Sequence, residues 1–117
     1  MAREIKFRAW NTINKEMSDV FNHSDLINAN LHHIYPKYDP DDYIVMQYTG
    51  LRDKNGKEIY GGDVLNLNGT IYEVYFDKGC FLVRMKEYPD NRMELMQIYN
   101  RSVIIGNKFE NPELLDL

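Results

Sequence analysis

Three turn signals at short intervals constrain this chain more than any other feature: Asn55-Gly56, Asn68-Gly69 and Asp77-Lys78-Gly79. Asn-Gly is the preferred centre of a type I′ hairpin turn, because both central positions need positive φ and these two residues tolerate it. The segments between the turns are short, apolar and β-prone. Thr70 to Phe76 alternates, with Tyr72, Val74 and Phe76 on one face and Ile71 and Tyr75 on the other. Cys80 to Met85 returns after the third turn. Strands of about five residues joined this tightly predict a small antiparallel sheet or barrel.

Upstream, Ile5, Phe7 and Ala9 alternate with Lys6 and Arg8, the period of a half-buried strand. Asn11 to Lys15 is turn-forming, and Met17 to Phe21 is expected to return as a second strand, giving an N-terminal hairpin. Residues 22–42 carry Asn22, Asn28, Asn30, Pro36 and Pro40 and read as one irregular excursion with an acidic end. The strand signal resumes at Tyr43, Ile44, Val45, Met46 and Tyr48. Gly61-Gly62 marks a sharp change of direction before Val64, Leu65 and Leu67. Met93 to Tyr99 is ambiguous between strand and helix, Ser102 to Ile105 is a short strand, and Asn111-Pro112-Glu113-Leu114-Leu115 is a capped terminal turn with proline at its first position.

The length of 117 residues suits a single domain, 1–117, with the barrel-like part over about 43–106. A domain of this size buries about two-thirds of its unfolded surface, enough for one modest core. Cys80 is the sole cysteine, so no internal disulfide framework exists. The opening residues carry charge where a signal peptide needs an apolar run, and no segment approaches the ~18 apolar residues of a membrane span. A cytoplasmic protein without membrane contact is expected. The net charge of −4 argues against a general nucleic-acid coat, whose affinity comes from neutralised phosphates. A local basic patch, if one forms, draws on Lys6, Arg8, Arg52, Lys54 and Lys57; scattered solvated charges are the plainer reading.

Three blocks carry a resemblance. They are Ile5-Lys6-Phe7-Arg8-Ala9-Trp10 with Lys15-Glu16-Met17; Met46 through Val64, including Gln47-Tyr48-Thr49-Gly50-Leu51 and Asp53 to Tyr60; and Val103-Ile104-Ile105-Gly106-Asn107 continuing to Glu110 through Leu115. In this order they resemble the YopX family of small phage and prophage proteins. The family usually has an acidic residue where Gly61 stands here. The resemblance implies a mainly β fold with a small, partly open SH3-like barrel and little helix. It implies a phage-encoded accessory protein in the host cytoplasm, and it carries no catalytic residues.

The chemistry-bearing residues are sparse. His32-His33, with His23 upstream and Asp39, Asp41 and Asp42 downstream, are suitable ligand types, but neighbours in an extended chain point to opposite faces, so they read as loop histidines. Cys80 follows Lys78, which lowers a thiol pKa when close, yet no histidine lies nearby to act as base. Asp63 and Glu58 bracket the Gly-Gly turn, where an Asp ordinarily bonds its own turn backbone. Gly61-Gly62 lacks every phosphate-loop pattern. No cofactor, metal or enzymatic activity is expected.

Nine tyrosines, five phenylalanines and Trp10 form the richer set. Barrels of this type bind partners through aromatic grooves, and tyrosine and tryptophan anchor interfaces. Trp10 falls opposite the Ile5-Phe7-Ala9 face, and Tyr48, Tyr60 and Tyr75 lie near the same loops, so these four are the candidate interaction surface; core filling is the alternative. The expected function is a non-catalytic module that self-associates as a homo-oligomer or binds a host or phage protein. A nucleic-acid-binding accessory protein is the alternative.

Overall fold

A computed structural model describes residues 4–22 and 42–116. The expected excursion therefore lies outside the described residues except at its two ends. The described chain is mainly β and contains no α-helix, only short 3-10 turns. It divides into two compact units, Met1–Tyr48 and Thr49–Leu117, and strand β4 runs through the boundary.

In the first unit, β1 (Lys6–Asn11) is the central strand. It pairs antiparallel with β4 (Tyr43–Arg52) from Phe7↔Gln47 to Asn11↔Tyr43. Its other side takes β2 (Glu16–Met17) at Trp10↔Met17 and β3 (Phe21–Asn22) at Phe7↔Phe21. The returning strand of the hairpin is thus interrupted. Ser18 explains the break: its Oγ accepts from Ala9 N–H at 2.8 Å while its own N–H donates to Ala9 O at 2.8 Å. A side chain takes the ladder position that a backbone carbonyl would fill. Buried Asn11 closes the turn that follows it, its Oδ1 accepting from Ile13 N–H and Asn14 N–H at 2.8 and 3.2 Å.

In the second unit, the end of β4 turns into β5 (Glu58–Tyr60), and a five-stranded antiparallel sheet follows. Its strands are β6 (Asp63–Leu67), β7 (Thr70–Asp77), β8 (Cys80–Met85), β9 (Arg92–Glu94) and β10 (Val103–Asn107), in the order β10-β6-β7-β8-β9. The curled sheet fits the expected small barrel. Asn68-Gly69 forms the expected type I′ turn, with φ of 51° and 93° between the paired Leu67 and Thr70. Lys78-Gly79 adopts the same geometry, although Lys78 gains nothing from φ of 52°.

Asn55-Gly56 departs from expectation. Only Gly56 has positive φ (83°), its N–H donating to Asp53 O at 2.9 Å. The loop closes through Asp53 N–H to Lys57 O at 2.8 Å, as a longer turn with glycine at the left-handed position. The cause is Asp53, whose Oδ1 accepts from both Asn55 N–H and Lys57 N–H at 2.9 Å. A side chain at the start of the turn selects its type.

The core comprises Ile59, Leu65, Tyr72, Val74, Val83, Leu95 and Ile98. Each such side chain contributes roughly 1.5–3 kcal/mol on full burial. The ambiguous segment after Met93 resolves here. β9 ends at Glu94, and 3-10 turns at Leu95–Gln97 and Tyr99–Arg101 set Leu95 and Ile98, three residues apart, into the core. The terminal turn forms as expected, a 3-10 helix Pro112–Leu115 with proline at its start. Asn107 ties it down: its Oδ1 accepts from Phe109 and Glu110 N–H, and Asn111 Oδ1 accepts from Asn107 N–H.

Candidate interaction surface

Three of the four aromatic candidates are interior. Trp10, Tyr48 and Tyr60 are only 7%, 4% and 3% exposed, which corrects their assignment to a surface. The alternation that separates Trp10 from Ala9 is present, but both residues are buried. Period-two patterning tells which face a residue takes, not what covers that face. The Lys6 ammonium lies 5.0 Å from the centre of the Tyr48 ring. Tyr60 sits at the turn where its N–H donates to Asp63 Oδ2 at 2.7 Å, so Asp63 serves its own turn as expected.

Tyr75 alone of the four reaches a surface. The Arg84 guanidinium stacks over its ring at 3.7 Å, a cation–π contact. Arg84 Nε also lies 3.6 Å from Glu73 Oε1, and Lys108 Nζ lies 3.4 Å from Glu73 Oε2. The register places Glu73 opposite Arg84 and Arg84 opposite Arg92. One face of the sheet thus carries a row of charges: Lys108 positive, Glu73 negative, Arg84 positive, Arg92 positive. The C-terminal segment covers the inner end of this face. Val64, opposite Glu73, is fully buried, and a Cβ on Gly106 would meet Leu114 Cδ1 at 2.8 Å.

The two edges of the sheet differ. At β10, the edge amide of Ile104 donates to Asp53 Oδ2 at 2.9 Å, and Lys54 N–H donates to Ser102 O at 2.9 Å. That edge is occupied by the Asp53 turn. At β9, Arg92 and Glu94 are exposed and make no ion pair among the described residues. Two large apolar side chains flank it, Tyr88 at 64% and Met96 at 70% exposure. Sequence reasoning missed this edge because the run after Arg92 fits two periods. The charged-apolar-charged order of Arg92-Met93-Glu94 is the signal that finds it. Phe76, on the same strand face as buried Tyr72 and Val74, is 57% exposed and packs edge-on against Phe81 at 4.9 Å, because the β7–β8 hairpin extends past the core.

The basic candidates are divided between the two units, and acidic side chains lie among them. Lys6 pairs with Glu4 at 3.1 Å, and Arg8 is half-buried. Arg52, Lys54 and Lys57 come together on the hairpin turn, where Arg52 pairs with Glu58 at 3.5 Å and the Asp53 carboxylate sits at the centre. Cys80 is half-exposed. The three histidines lie outside the described residues.

These features define a small, mainly β protein whose second sheet, among the described residues, has one occupied edge, at β10, and one unpaired edge, at β9. A family model described as YopX protein matches residues 6–116. The chain belongs to the YopX family. Among solved structures, it is similar to the crystal structure of protein EF1440 from Enterococcus faecalis, with 25% identity and a TM-score of 0.63 over 98% of this chain and 100% of that one. No curated protein matches the chain. Among the described residues, no helix is long and apolar enough to cross a membrane.

Proposed function

We propose that this protein is a phage- or prophage-encoded accessory module that acts in the host cytoplasm through protein association, without catalysis. The observation that carries the reading is the β9 edge, unpaired among the described residues, between exposed Tyr88 and Met96, set against a β10 edge already filled by the chain itself. An unpaired edge is a template for strand pairing with another chain. Membership of the YopX family supports the biological setting. The charge balance of −4 and the carboxylates among Arg52, Lys54 and Lys57 favour a protein partner over nucleic acid. Light scattering at several concentrations, together with capture from host and phage lysates, tests the proposal. Association with itself or with a protein supports it; a monomer that captures nothing overturns it.

A further inference from the structure

We infer that the partner at the open edge is a second copy of this chain, paired β9 to β9 antiparallel about a two-fold axis at Met93. This rests on the reading of the protein as an association module and names the occupant of its edge.

Backbone geometry points the right groups outward. Met85 N–H donates to Asn91 O at 3.2 Å, one step beyond the Arg84↔Arg92 pair. Antiparallel ladders alternate between bonded and non-bonded pairs. Met93 therefore turns its N–H and C=O inward to Val83, while Arg92 and Glu94 turn theirs to the open side. Pairing about Met93 places Arg92 against the partner's Glu94, and Glu94 against the partner's Arg92. Both are hydrogen-bonded positions, and both bring opposite charges face to face.

The charge row supplies an independent reason. Within one copy, Arg92 stands directly across from Arg84, a like-charge neighbour that costs stability. The partner's Glu94 becomes the next member of that row and sets a negative charge beside Arg92, offsetting its like-charge neighbour Arg84. A short, charged edge strand ordinarily deters pairing. Here the alternating signs deter most registers and favour this one. The same register brings the Tyr88 to Asn91 loop of one copy toward Met96 of the other, so the exposed apolar side chains fall within the contact. Three residues per strand give a small interface, and a weak, concentration-dependent dimer is expected.

The test is charge reversal in trans, on the full chain, by sedimentation velocity. Arg92→Glu alone sets two glutamates against each partner strand, and Glu94→Arg alone sets two arginines. Each is expected to weaken the dimer about ten-fold or more. Mixing the two variants in equal amounts is expected to restore association as a heterodimer, and the Arg92→Glu/Glu94→Arg double variant to restore it as a homodimer. Both positions are exposed, and circular dichroism checks that each variant is folded. A dimer unaffected by either single reversal, or singles that stay apart when mixed, overturns the β9 assignment and leaves association by another surface standing. A monomer in the wild type and in every mixture overturns the assignment and removes self-association from the proposed function.

Discussion

Asp53 is the residue on which the second unit turns, and replacing it gives the sharpest stability prediction. Its buried carboxylate accepts from the backbone N–H groups of Asn55, Lys57 and Ile104, each at 2.9 Å. Hydrogen bonds to a charged group contribute about 1.5–3 kcal/mol each. Asn55 and Lys57 lie on an exposed turn, so water satisfies their amides after the carboxylate is removed. Ile104 N–H is part-buried, and its loss carries a larger share of the desolvation cost. Asp53→Ala is therefore expected to destabilise the protein by about 2–4 kcal/mol. Asp53→Asn keeps one oxygen for the turn amides but aims an NH2 group at the Ile104 N–H, so about 1–2 kcal/mol is expected. Urea unfolding followed by far-UV circular dichroism gives both values from the midpoint shift at constant slope. Trp10 fluorescence, which reports on the first unit, checks whether the units unfold together. An Asp53→Ala loss below about 0.5 kcal/mol, or an Asn variant worse than Ala, refutes the reasoning.

Gly106→Ala sets a Cβ at 2.5 Å from Asn111 Oδ1 and 2.8 Å from Leu114 Cδ1, and a loss of about 2–3 kcal/mol in chemical denaturation is expected. Gly61→Ala is expected to stabilise by about 0.4–1 kcal/mol, because Gly61 does not use the left-handed region and its Cβ meets only Phe81 at 4.0 Å; a lower thermal midpoint contradicts this. Lys78→Asn, at φ of 52° in a type I′ turn, is expected to raise stability by about 0.5–1 kcal/mol by the same measurement.

The sheet was legible where side-chain chemistry and turn geometry agree. Asn68-Gly69 and the alternation through Tyr72 and Val74 place β6, β7 and β8 without further help. Asn55-Gly56 departs from its type I′ signal because a competing acceptor, Asp53, sits two residues earlier and selects another turn. The burial of Trp10 is hidden from the sequence for a different reason: strand periodicity assigns Trp10 and Ala9 to opposite faces but says nothing of what buries both. The open edge was hidden because Arg92-Met93-Glu94 is three residues long, too short for its period to stand out from the 3-10 turns that follow. The Asn107–Asn111 clasp has a visible sequence in Gly106-Asn107 and Glu110-Asn111-Pro112, yet its meaning needs the approach of Leu114 to Gly106, which no local pattern encodes.

The solution mass of the wild-type chain across a wide concentration range tests association most directly. A module with an open, self-complementary edge gives a mass that rises from 13.9 kDa toward twice that value as concentration increases. A mass fixed at 13.9 kDa at every concentration, with no protein captured from host or phage lysate, contradicts it.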